Sequence, residues 1–164
     1  LLVPKKWRQN MAERVAALAS RHPGGVMTID SIADRFAFRR VLAMADVVLD
    51  SFPYCGWTTT LQAIAAAVPV VTLADGGGGS ARGRFTEGVY GDVFGDARGG
   101  GLVARGLDEY VRAAVRVVND LHYRERVVQT LKDARDRVFE VDRTVREWEA
   151  FLERAVRECD NSGD

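Results

Sequence analysis

Apolar positions along the chain follow two rhythms. Short runs at Leu1-Leu2-Val3, Val26-Met27-Thr28-Ile29, Val47-Val48-Leu49, Val70-Val71-Thr72-Leu73 and Leu102-Val103-Ala104 read as buried strands. Between them apolar residues recur every three or four positions, the spacing of an amphipathic helix. Trp7, Met11, Val15 and Leu18 mark one helix, from Lys5 to Ser20, ended by Pro23-Gly24-Gly25. Phe38, Val41, Leu42 and Ala45 mark the next, with Ser31 or Asp34 as its cap. Leu61, Ile64, Ala65 and Val68 mark a third, and a weaker helix runs from Arg82 to Tyr90. The last third is helical throughout. Its stripes are Leu107, Tyr110, Val111, Ala114, Val115 and Val118, then Val127, Leu131, Ala134 and Val138, then Val141, Val145, Trp148, Leu152 and Ala155. Strands alternating with helices predict parallel strands joined by right-handed crossovers. The expected fold is α/β, a doubly wound parallel sheet with a helical C-terminal tail.

Composition narrows the function classes. The chain has 164 residues, enough for one domain with one core, and its 47% hydrophobic content is that of an ordinary soluble domain. Its 23 basic and 23 acidic residues cancel, so no long-range attraction draws it to nucleic acid or to an anionic membrane. Cys55 and Cys159 are far apart and in no metal-ligand spacing, which predicts neither a disulfide framework nor a zinc site and fits a reducing compartment. No apolar run has membrane-spanning length. The chain begins at Leu1 in what reads as a mid-domain strand, and the expectation is of a piece of something longer.

In open parallel sheets ligands bind outside the carboxyl ends of the strands. Three loops reach that edge here, Asp30–Asp34, Asp50–Thr58 and Ala74–Arg82. The middle one carries the clearest chemistry. Gly56 allows close backbone approach, and Thr58 and Thr59 add hydroxyls to the free N–H groups of a helix start, together a seat for phosphate. The alternative is that Thr58 merely caps its helix. Asp50 reads as a residue that orients the loop by accepting its amides rather than as a catalyst. His22 and His122 stand alone beside helix boundaries and read as surface or capping residues. Cys55, with no histidine nearby in sequence, is a weak nucleophile candidate. Trp7 and Trp148 lie on apolar stripes and read as core, Trp148 alternatively as a contact to a partner lobe. Trp57, in the loop, is placed to line a ligand pocket. Arg82 and Arg84, after the Gly76–Gly79 run, either close on phosphates or lie on the surface. No G-x-G-x-x-G or P-loop signature occurs, against a dehydrogenase or an NTPase.

Several of these stretches, in order, carry a resemblance. Ala45-Asp46-Val47-Val48-Leu49-Asp50, Gly56 with Thr58-Thr59, Val68-Pro69-Val70-Val71-Thr72-Leu73, and Leu102-Val103-Ala104 with Asp108-Glu109-Tyr110-Val111 resemble the C-terminal catalytic lobe of the O-GlcNAc transferase/SPINDLY family. Those are nucleotide-sugar transferases of the two-Rossmann-domain (GT-B) type that modify Ser and Thr of cytosolic and nuclear proteins. The resemblance implies a nucleotide-sugar-binding, Rossmann-like lobe over residues 1–158, a frayed tail over 159–164, and a cytoplasmic or nuclear setting. It implies that Thr58 and Thr59 hold the pyrophosphate of a UDP-linked donor, that Arg35 contacts the nucleotide, and that the Ala33 backbone reads the base edge. Phe38 stands where the family can place a histidine against the base.

Two residues depart from the family pattern. Trp57, placed to line the sugar pocket, replaces a histidine before the threonine pair, and Gln62 replaces the acidic residue that grips the ribose hydroxyls, offering a neutral hydrogen bond instead. The family's phosphate-contacting lysine and its proposed base lie upstream of Leu1, so the catalytic residues are not expected within this chain and the chain alone is not expected to catalyse transfer. No metal or other cofactor is required. The implied partners are a nucleotide sugar, a protein acceptor, an N-terminal catalytic lobe and, further upstream, helical repeats; nucleic acid and membrane are not among them. Two rival readings remain open: a non-catalytic lobe acting as a scaffold or regulatory module, and a nucleotide-sugar epimerase on the same architecture.

Overall fold

The computed structural model describes residues 5–26, 32–74, 83–96 and 98–161. The chain divides into two compact units, Leu1–Phe38 and Arg39–Asp164. The first unit holds α1, Lys5–Arg21, close to the expected Lys5–Ser20, and the start of α2, Arg35–Leu42. Asp34 caps α2: its carboxylate oxygens accept the N–H groups of Phe36 and Ala37 at 2.9 and 3.3 Å. Ser31, the other cap candidate, lies outside the described residues. So do the strand expected at Leu1–Val3, all but Val26 of the strand expected at Val26–Ile29, the Gly76–Gly79 run and Arg82.

The second unit is built on three parallel strands, β1 (Val48–Leu49), β2 (Val70–Leu73) and β3 (Val103–Ala104), in the spatial order β1-β2-β3. Val48 pairs with Val70 on one side of β2, and Thr72 pairs with Val103 on the other. β2 is buried along its whole length, as expected of a near-continuous apolar, β-branched run at the centre of a parallel sheet. The expected α/β class with parallel strands is the one observed.

The crossovers are α3 (Thr58–Ala65) between β1 and β2, and α4 (Phe85–Phe94) between β2 and β3. α3 ends earlier than the expected Val68 because Ala67 takes a left-handed φ of 55°, which turns the chain sharply into β2. α4 begins and ends later than expected, stopped by Gly95 at a φ of 72°. It is fastened to the sheet by Tyr90, fully buried, whose hydroxyl donates to the Val70 carbonyl at 2.9 Å and accepts the Val70 N–H at 2.8 Å. The turn at Gly99–Gly101 is glycine for two reasons. All three residues have positive φ, and a Cβ on Gly99 would meet the Tyr90 ring at 2.7 Å.

Three helices follow, α5 (Leu107–Asn119), α6 (Leu121–Val138) and α7 (Val141–Asn161). Asp120 starts α6 by accepting the Tyr123 N–H at 2.9 Å, and Tyr123, Val127, Leu131 and Ala134 are its buried face. That register matches the expected stripe. α5 corrects its expectation. Tyr110, Ala113 and Val117 are buried, whereas Leu107, Val111, Val115 and Val118 are exposed. A helix this rich in apolar residues has two candidate faces, and contact with β2, β3 and α6 selects the one carrying Tyr110. α7 runs to Asn161, further than the frayed tail expected from residue 159. Its stripe has helical period, but Val141, Val145, Trp148 and Leu152 all remain exposed, so Trp148 is not a core residue of this chain. The Trp7 side chain lies outside the described residues.

Two buried tyrosines make stability depend on alkaline pH. Burial, and then the nearby Asp50 charge, push Tyr110 up to about 12, and burial pushes Tyr90 higher still. In the unfolded chain both ionise near pH 10. Their contribution is therefore complete below about pH 10 and is lost as pH rises above it. The urea midpoint is expected to stay level up to about pH 10 and then fall, and Tyr110→Phe is expected to make that fall shallower. A midpoint that stays level to about pH 11 contradicts this.

Candidate functional site

Because the strands are parallel, their carboxyl ends lie on one edge of the sheet. There β1 delivers Asp50, which is 4% exposed and is the hub of the site. Its Oδ1 accepts the Gly56 N–H at 2.6 Å. Its Oδ2 accepts two hydroxyls, Thr72 Oγ1 from β2 at 2.8 Å and Thr86 Oγ1 from α4 at 2.7 Å. Its backbone carbonyl accepts the Tyr110 hydroxyl from α5 at 2.8 Å. Thr60 continues the network, donating to the Gly56 carbonyl at 2.8 Å and lying 3.3 Å from Thr86 Oγ1. The expected loop-orienting role of Asp50 is thus visible in its geometry. The carboxylate joins the loop to two neighbouring elements at once.

Gly56 fits this network closely. A Cβ there would come within 3.2 Å of Thr60 Oγ1 and 3.3 Å of Asp50 Oδ1, so the small residue serves the packing of the loop. Ser51 closes the loop's other arm by donating to the Tyr54 carbonyl at 2.6 Å.

The loop then becomes α3, and its start is open. Trp57 occupies the N-cap position and supplies no side-chain cap. The helical ladder begins with Leu61 N–H donating to the Trp57 carbonyl at 3.2 Å. Thr58 and Thr59 precede it, both exposed, and among the described residues neither their amides nor their hydroxyls have a partner. Thr58 therefore does not act as the helix cap. Free N–H groups and hydroxyls at the positive end of a helix can receive an anion. Gln62 lies one turn along the helix, half-buried, on the same side as Thr58.

Trp57 is 59% exposed and stacks on Phe85, the first residue of α4, with ring centroids 4.0 Å apart and planes 16° from parallel. Arg84, exposed, occupies the N-cap of α4. Ala33, Arg35 and Phe38 belong to the first unit, where they stand at the start of α2. Ala33 is exposed, Phe38 is half-buried, and the Arg35 guanidinium lies 4.9 Å from the Phe36 ring centroid. Gly56, Trp57, Thr58, Thr59 and Gln62 are brought together on one loop and helix of the second unit.

Other polar side chains outside the loop pair with neighbours or lie at the surface. Asp46 pairs with Arg124, and His122 is a surface side chain 3.7 Å from Glu125. Cys55 is buried beside the loop and forms no disulfide. Among the described residues no three His, Cys, Asp or Glu side chains gather as a metal site would require. Sequence reading missed Thr60, Thr72, Thr86, Tyr90, Tyr110 and Phe85. One signal was available: Thr72 is a hydroxyl inside an otherwise apolar buried strand, and such a group needs a partner.

No model of a known protein family matches the chain. It is 34% identical over 91 residues to a probable UDP-N-acetylglucosamine–peptide N-acetylglucosaminyltransferase, SPINDLY, of Arabidopsis thaliana, covering 56% of this chain and 9% of that protein. The SPINDLY protein of Solanum lycopersicum is 37% identical over 79 residues, 48% of this chain and 8% of its own length. In fold the chain matches a mutant O-GlcNAc transferase of Thermobaculum terrenum with a TM-score of 0.65 and 30% identity, covering 90% of this chain and 27% of that one. The chain spans less than a tenth of the SPINDLY proteins and about a quarter of the solved transferase. In sequence and in Rossmann-like fold, it resembles the O-GlcNAc transferase and SPINDLY glycosyltransferases.

Proposed function

We propose that this chain is the nucleotide-sugar-binding lobe of a protein O-glycosyltransferase, with a UDP-N-acetylglucosamine-like donor and Ser or Thr acceptors on cytoplasmic or nuclear proteins. The observation that supports this reading is the open start of α3, where Thr58 and Thr59 present amides and hydroxyls without a partner among the described residues, directly after a loop held by buried Asp50. The donor's pyrophosphate would sit there, and Gln62 would face the ribose. During transfer an acceptor hydroxyl attacks the anomeric carbon and the nucleoside diphosphate leaves. The charge growing on that leaving group would be met by donors already in place, which is how preorganised hydrogen bonds lower a barrier. The base and a facing lobe would come from outside these residues, and no metal or other cofactor enters the scheme.

Ligand binding to the folded state alone raises its stability. UDP and UDP-N-acetylglucosamine are therefore expected to raise the melting temperature in a saturable manner, by several degrees at about 100 times the dissociation constant. Inorganic phosphate at the same concentration is expected to do much less. Equal shifts with phosphate and UDP would contradict a nucleotide site.

A further inference from the structure

The Trp57–Phe85 stack gives the proposed donor site a feature that a phosphate seat does not need. Phe85 covers one face of the indole, and Trp57 nonetheless stays 59% exposed, so a broad aromatic surface remains open. Trp57 is the residue immediately before Thr58, at the N-cap of α3. The sugar of a nucleotide-sugar donor is attached to the terminal phosphate, so its ring lies next to whatever adjoins the pyrophosphate seat. A pyranose has a polar rim and an apolar face of C–H groups, and an aromatic ring, with its negative face, attracts those C–H groups.

We propose that the Trp57–Phe85 pair is a platform that takes the apolar face of the donor's sugar ring. This deepens the nucleotide-sugar reading and rests on Thr58 and Thr59 being the pyrophosphate seat. Trp57 touches the sugar. Phe85 is a positioning residue: it holds the indole flat, fixing a side chain that would otherwise sample several rotamers. α4 delivers Phe85 to this place because Thr86, the next residue, is anchored to Asp50 at 2.7 Å.

The test is calorimetric titration of the full chain with UDP and, separately, with UDP-N-acetylglucosamine. The wild type is expected to bind the sugar nucleotide about two- to tenfold more tightly than UDP, the range of one aromatic stacking contact. Trp57→Ala is expected to bring that ratio to about one with UDP affinity unchanged, and Trp57→Phe to keep part of it. Phe85→Ala is expected to lower the ratio, and Phe85→Tyr to restore it. UDP binding reports the folded loop in every variant. A Trp57→Ala chain that keeps the wild-type ratio, or that loses UDP and sugar-nucleotide affinity equally, overturns the platform. Equal wild-type affinity for the two ligands also overturns it. A wild type that binds neither ligand overturns the nucleotide-sugar reading itself, and the platform with it.

Discussion

Asp50→Ala is expected to destabilise the fold by about 3–5 kcal/mol, enough to consume a large part of the stability of a domain this size. The side chain receives three hydrogen bonds, from Gly56 N–H, Thr72 Oγ1 and Thr86 Oγ1, at 2.6 to 2.8 Å in a site 4% exposed. Hydrogen bonds to a charged group contribute roughly 1.5–3 kcal/mol each, and donors left unmet in a buried place cost more than the bond was worth. Removing a buried charge offsets part of this loss, so the sum of three full bonds is not reached. Asp50→Asn separates the parts. Its carbonyl oxygen can still accept the Gly56 N–H, but its amide nitrogen cannot accept the two hydroxyls. The expected cost is about half that of alanine, measured as a shift in urea midpoint at unchanged slope. An alanine variant within about 1 kcal/mol of the wild type would show that the network does not hold the loop.

The parts of this fold that were legible in the sequence share a physical reason. Val70–Leu73 was read to the residue because a strand covered on both sides is a nearly continuous apolar and β-branched run, which leaves little freedom in placing it. The buried face of α6 was legible because only one stripe of that helix is apolar. The start of α3 at Thr58 was legible because helical spacing of apolar residues resumes directly after the Asp50–Trp57 loop.

What stayed hidden depends on partners that the sequence does not place. Period shows that α5 has apolar residues at helical spacing, but not whether Tyr110 or Val111 meets the sheet. The stripe on α7 has the right period, yet Trp148 is 60% exposed, because periodicity describes a face and says nothing of what covers it. The boundaries of α4 were misplaced because Gly88 and Gly91 weaken the helical signal inside it. The Asp50 network joins residues 22 and 36 positions apart, and hydroxyls from separate elements carry no local mark of their shared acceptor.

The second large effect concerns binding rather than stability. Thr58 and Thr59 are exposed, and their hydroxyls have no partner among the described residues, so replacing both with alanine is expected to change stability by no more than about 0.5 kcal/mol. A bound pyrophosphate would lose two hydrogen bonds to a charged acceptor, together about 3–6 kcal/mol, while the backbone amides and the small helix-end charge remain. That loss corresponds to at least about a 100-fold weaker complex. The Asp50 and threonine variants thus move different quantities, one the folding equilibrium and the other the ligand.

The most direct measurement is calorimetric titration of UDP into the wild-type chain and into the Thr58→Ala, Thr59→Ala double variant, with urea midpoints taken in parallel. Saturable wild-type binding that falls at least about 100-fold in a double variant of unchanged stability is the expected result. Equal UDP affinity in the two proteins would contradict the pyrophosphate seat.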